Sequence, residues 1–153
     1  MLKESTHVWS THKLLHYLHA LADKSKIKPH LRGESSKTDA FTDSPIYKML
    51  GYFSLVGLLR VHCLLADYRL ALASIADIDL GRKGRSPHGL FTSVTLCHVT
   101  VFYYTGWSYL MLRRYTDAIK TFSNILFYIA RTKQYHTRSY QYNQILLKNK
   151  PSS

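Results

Sequence analysis

Apolar positions recur every three to four residues along most of this chain, a period that predicts helices. In VWSTHKLLHYLHALA (8–22), Leu14, Leu15, Leu18, Leu21 and Ala22 fall on one side of a helix. Ser10 or Thr11 would cap it. Residues 24–43 are polar and basic and contain Pro29 and Gly33, so they predict a loop or linker. Ser44-Pro45 opens the next helix, because Pro loses nothing in a first turn whose N–H groups are unpaired anyway. That helix runs to about Ala66, and Asp67 caps a second one through about Asp79. GRKGRSPHG (81–89) reads as a loop. A long helix is expected from Leu90 to Arg113, despite local strand propensity at Val94, Thr95, Val99, Thr100 and Val101. After a break at 113–115, a further helix covers 116–133. The polar, aromatic tail from Gln134 to Lys150 predicts helix only at 139–147.

The pattern divides the chain into an N-terminal helix (1–24), a basic polar linker (25–43), two helical hairpins (44–133) and a basic aromatic tail (134–153). The hairpins echo each other. Tyr68, Ala71 and Ile75 match Tyr115, Ala118 and Phe122, each 47 residues further on. Gly106, Tyr109, Tyr115, Ala118 and Phe122 stand at the spacings of a tetratricopeptide repeat. In such a repeat, Gly and Ala sit where antiparallel helices approach closely, and Tyr and Phe fill the holes beside them. Gly106 and Ala118 are therefore expected to face each other. The first copy has Leu59 and His62 where the second has Gly106 and Tyr109. The fold class that follows is all-α: tetratricopeptide-like antiparallel hairpins forming part of an α-solenoid.

Charge changes the picture more than composition does. At 153 residues the chain suffices for one domain, and 46% hydrophobic residues can build a core. Lys and Arg exceed Asp and Glu by 21 to 9, and the excess is uneven. Residues 1–79 carry a net +2, whereas residues 80–153 carry +10, with Asp117 their one acid. This asymmetry predicts a polyanionic neighbour, either RNA or an acidic protein face. No N-terminal apolar run reads as a signal peptide. Leu90–Leu112 is 23 residues without a formal charge, long enough to span a bilayer, but four Thr, two Ser and His98 favour a buried helix of a soluble array.

Catalytic signatures are absent: there is no Walker A loop, nucleophile elbow or dinucleotide-binding glycine pattern. His12, His16 and His19 share one helix face, but no carboxylate or thiol joins them, so a solvated face is expected and no metal site. Cys63 beside His62, and Cys97 beside His98, point about 100° apart on a helix and cannot form dyads. Asp77 and Asp79 are expected to solvate a helix end. Neither a catalytic residue nor a cofactor is assigned. Gly81-Arg82-Lys83-Gly84 has the form of a phosphate-approaching GXXG loop, but helices flank it where a KH domain needs strands. Arg82, Lys83 and Arg85, with Arg131, Lys133 and Arg138 of the aromatic tail region, are the candidate contacts to RNA or an acidic partner.

Three runs carry a family resemblance. Ile46–Arg60 (IYKMLGYFSLVGLLR), Tyr109–Ile119 (YLMLRRYTDAI) and Asn124–Lys133 (NILFYIARTK) resemble the subunit L family of eukaryotic translation initiation factor 3. The helix ending in Ala22-Asp23-Lys24-Ser25 also fits, so the resemblance covers about residues 8–148. It implies a non-enzymatic helical scaffold working in the cytoplasm, in the factor that brings initiator tRNA and mRNA to the small ribosomal subunit. It implies other subunits of that factor, notably K, as partners. Family members are much longer and end in a winged-helix PCI module, which implies that further repeats should follow. The alternative is an unrelated helical-repeat adaptor.

Overall fold

The computed structural model describes the backbone at residues 10–34, 44–78 and 94–148, and side chains there apart from 95 and 134–148. All its regular elements are α-helices. In chain order they are α1 Thr11–Lys24, α2 Ile27–Arg32, α3 Pro45–Leu64, α4 Tyr68–Ser74, α5 Thr95–Met111 and α6 Tyr115–Lys148.

The helices pack as a ladder of three hairpins. α1 pairs with α2, α3 with α4, and α5 with α6. The first helix of each hairpin lies on the first helix of the next, α1 on α3 and α3 on α5. The second helices reach forward, α2 to α3 and α4 to α5, and among the described residues no contact joins α4 to α6. This nearest-neighbour pattern is that of a helical repeat array.

The first hairpin is one more than the periodicity predicts, because α2 lies inside the span read as a linker. Pro29 is the third residue of α2, where its missing N–H has no partner to lose. Gly33 ends the helix at φ +75°, a conformation open to glycine. Both residues are thus start and stop signals of a short helix rather than marks of a loop. Ile27, fully buried, anchors it. Gly51 of α3 makes room for this turn: a methyl there would come within 2.8 Å of Ile27 Cβ and would strike Ser25.

Two apolar clusters follow from this order. Ala22 and Ile27 meet Leu55 and Leu58 of α3, with Leu15, Leu18 and Leu31 around them. On the other side of α3, Tyr52, Val56, Leu59 and Cys63 meet Ala71 and Ile75 beside Val101 of α5. The α3 helix is therefore buried on two faces, which explains its nearly continuous apolar sequence.

The uncharged run is a helix of the array, buried at Val101, Phe102, Thr105 and Ser108 but exposed at Leu96, Tyr103, Trp107 and Leu110, so the expectation of a buried helix holds for only part of its circumference. Its first residues, 90–93, lie outside the described part, and α5 begins at Thr95. Thr105 and Ser108 are fully buried, yet their hydroxyls donate to Val101 O at 2.6 Å and Tyr104 O at 2.8 Å. Each polar group is satisfied within its own helix while its small size permits close approach. Among the described residues no helix is long and apolar enough to cross a membrane.

Two boundaries differ from the sequence expectation. α4 stops at Ser74 and continues as turns to Ile78. α6 instead runs unbroken to Lys148, through most of the region read as a tail. No Gly or Pro occurs between Tyr115 and Lys150, so the polar composition marks the loss of packing partners and not the end of the helix.

Candidate functional site

The repeat positions form the inner surface of the second and third hairpins. Asp67 caps α4, its carboxylate accepting from Leu70 N, and Ala71 is fully buried one turn later. Ala118 occupies the same place on α6 and is also buried. The atoms closest to Gly106 belong to Phe122 and not to Ala118. A methyl on Gly106 would stand 2.7 Å from the Phe122 ring. In the preceding hairpin the equivalent residues are Leu59 and Ile75, both buried in one cluster. The same space is thus filled from α6 in one hairpin and from α3 in the other.

Tyr109 is half-buried. Its ring carries the Arg114 guanidinium at 4.8 Å, and Arg114 also binds Asp117, with Nε 2.8 Å from Oδ2. Tyr115 is exposed, whereas its counterpart Tyr68 packs against the core. The opposite end of the α5–α6 contact is held by rings: His98 stands 4.8 Å from Phe102 and 4.6 Å from Tyr128. Burial holds the His98 pKa below its ordinary value.

The third hairpin carries exposed apolar side chains on both of its helices. Leu96, Tyr103, Trp107 and Leu110 are all exposed, Leu96 at 79%. They fall within about 60° on α5, and α5 contains no charged side chain to border them. Tyr115, Ile119, Leu126 and Ile129 form a matching exposed stripe on α6. Each stripe stands about 100° round its helix from the α5–α6 contact. Because the two helices run in opposite senses, both stripes emerge on the same side of the hairpin, away from α3. Register gives this face a meaning. Counting back 47 residues, Tyr103 and Leu110 correspond to Val56 and Cys63, which pack α3 onto α5. At Tyr103 and Leu110 the exposed face is therefore the repeat-equivalent of one already used to bury a helix, whereas Trp107 stands where the preceding hairpin has the exposed Arg60. Periodicity at 3.6 residues signals these stripes, but only the repeat register separates them from the core.

The cationic candidates do not form one cluster. Arg82, Lys83 and Arg85 lie outside the described residues. Arg131 and Lys133 are both exposed on α6, but about 160° apart, with Lys133 on the side of the apolar stripe. Arg138 lies within α6, beyond the described side chains.

The remaining chemistry is structural. His12, His16 and His19 are exposed, and the His19 ring leans on His62 at 6.1 Å. Burial lowers the His62 pKa; Asp67 opposes that shift and His19 adds to it. Cys63 Sγ is 3.6 Å from Ser108 Oγ, and burial raises its pKa, as it does for Cys97. A thiol held in its protonated form is a poor nucleophile. Among the described residues no three His, Cys, Asp or Glu side chains gather where a metal could be held. Asp77 does more than solvate a helix end: it accepts from Arg32 at 2.7 and 3.2 Å, tying the first hairpin to the second.

Comparison with known proteins bears on this geometry. A family described as RNA polymerase I-associated factor PAF67 matches residues 1–150. The curated relatives include eukaryotic translation initiation factor 3 subunit L of Mycosarcoma maydis, 51% identical over 90% of this chain and 21% of the relative. The proteins of the same name from Phaeosphaeria nodorum and Aspergillus clavatus are 44% and 43% identical, each over 97% of this chain and 30% and 32% of their own lengths. The chain spans between a fifth and a third of the curated relatives it matches.

Proposed function

The chain belongs to this family, that of translation initiation factor 3 subunit L, and on that premise we propose that it is a helical-repeat scaffold segment of the factor. The observation that carries the reading is the apolar face on α5 and α6. It repeats the register of a buried helix–helix contact and has no cover in the chain as described. Such a face holds another helical repeat, and so builds an assembly rather than a reaction centre. In this reading the chain works in the cytoplasm and supports the meeting of the factor with the small ribosomal subunit and mRNA. Subunit K is the proposed partner, and the basic C-terminal half contacts RNA or an acidic surface. The proposed division has a first hairpin that takes in α1 and α2, followed by the hairpins of α3–α4 and α5–α6, with α6 carrying most of the basic aromatic segment.

Co-elution with purified subunit K tests the assembly reading. The chain is expected to co-elute, and Tyr103→Glu with Leu126→Glu should abolish the complex while leaving helicity intact. Co-elution unchanged by the double substitution would place the contact elsewhere, and no complex with the unaltered chain would reject subunit K.

A further inference from the structure

A second stripe on α6 differs in kind from the apolar one. Lys120, Asn124, Phe127 and Arg131 are all exposed and lie within about 60° of one another around the helix. The Phe127 ring is 68% exposed, more than any other aromatic ring among the described large hydrophobic residues. The middle of this stripe stands about 145° round the helix from the middle of the Tyr115, Ile119, Leu126 and Ile129 stripe, with Phe127 at its near edge, about 80° from Ile119 and 100° from Leu126, and it faces away from α5. A helix centred on the apolar face would lie to one side of Lys120, Asn124 and Arg131, each about 100° or more from every residue of that face. The fold does not use the ring, since Ala118, Thr121 and Ile125 are the buried residues of this part of α6.

Its neighbours define what it can hold. At 1.5 Å per residue, Lys120 stands about 10 Å below Phe127 along the helix and Arg131 about 6 Å above it. Asn124 lies between, with a donor and an acceptor. The one acid in residues 80–153, Asp117, is held by Arg114 at 2.8 Å. A flat ring between two cations, with an amide beside it, offers a π-face for a base and positive charge for the phosphates on either side. A protein carboxylate would use the cations but gain nothing from the ring.

We propose that Lys120, Asn124, Phe127 and Arg131 form a contact for single-stranded RNA, with a base stacked on Phe127 and flanking phosphates on Lys120 and Arg131. This deepens the RNA part of the proposed function and rests on it; the assembly part depends on the other side of α6 and is tested separately.

Anisotropy of a fluorescent twelve-nucleotide uridine oligomer, titrated with the full chain across a salt series, tests it. Phe127→Ala should weaken binding about five- to a hundredfold at every salt concentration and leave the salt slope unchanged. Lys120→Ala and Arg131→Ala should each lower the slope by about 0.7. Arg69→Ala, an exposed cation on α4, should change neither quantity. Circular dichroism melts of each variant should match the parent, because the replaced side chains are exposed. The proposal is overturned if Phe127→Ala binds the oligomer as the parent does. It is equally overturned if Arg69→Ala lowers the slope as much as Lys120→Ala, which would mean diffuse charge. Polyglutamate displacing the oligomer from parent and Phe127→Ala alike would make the stripe an acidic-protein contact instead.

Discussion

Gly106 illustrates how a repeat position acts through its partner. Its lack of a side chain admits the Phe122 ring to the backbone of α5, with no room for a methyl. Gly106→Val should cost about 1–3 kcal/mol by overpacking, read from chemical denaturation. The preceding hairpin suggests the repair. Gly106→Leu with Phe122→Ile copies the Leu59–Ile75 pair and should recover much of the loss, a coupling between contacting residues that a double-mutant cycle would expose. Equal loss in the double variant and in Gly106→Leu would mean that the two hairpins are not packed alike. Two of the described histidines contribute to the response to acid. His62 and His98 titrate lower in the folded chain than in the unfolded one, chiefly through burial. The unfolded state then binds protons first as pH falls below about 6.5, so stability is lost on the acid side from there downward. His62→Gln and His98→Gln should each flatten that dependence, measured as melting temperature against pH. Tyr52, pushed to about 12 by burial, acts in the opposite sense, with stability lost above about pH 10.

At the scale of elements, the turns show which parts of the fold were legible. After α3 the N–H of Ala66 donates to Cys63 O and that of Asp67 to His62 O; after α5, Arg113 donates to Leu110 O and Arg114 to Tyr109 O. These paired bonds close both helices in the same way, and the left-handed residues Ala66 and Arg113 are 47 apart, the spacing of the side-chain match. The turns thus repeat more faithfully than the side chains do, but without glycine at the left-handed position they give the sequence no signal. Ala66→Gly should raise stability by about 0.5–1 kcal/mol by relieving that strain, seen as a higher denaturation midpoint; a lower midpoint would show that glycine's lost backbone entropy outweighs it. The helices of the second and third hairpins were legible because their apolar faces follow one period, and Ser44-Pro45 and Asp67 mark starts correctly. At Ser44 only the proline acts, since the hydroxyl makes no capping bond. α2 was not legible: six residues hold too few apolar positions to show a period, and their burial comes from Gly51, distant in the chain. The candidate site was legible in composition alone. Grouping Arg131 with Lys133 by adjacency hid the fact that a helix turns them apart, while Lys120 and Phe127, further away in sequence, share a face with Arg131.

For the molecule as a whole, one fact outweighs the others. Each hairpin covers a face of its neighbour, and the last described hairpin presents an exposed apolar face that no helix covers among the described residues. Trp107 and Tyr103 of α5 and Leu126 of α6 are all exposed, and the α5 stripe carries no charge to keep other apolar surfaces away. An exposed patch of this sort drives association unless a partner occupies it. Sedimentation velocity of the purified chain over a wide concentration range therefore tests the account most directly. Concentration-dependent self-association is expected, abolished by Tyr103→Glu with Leu126→Glu. A monomer at the highest concentration, melting cooperatively and sedimenting as the double variant does, would contradict the reading of this face as an unfilled repeat interface.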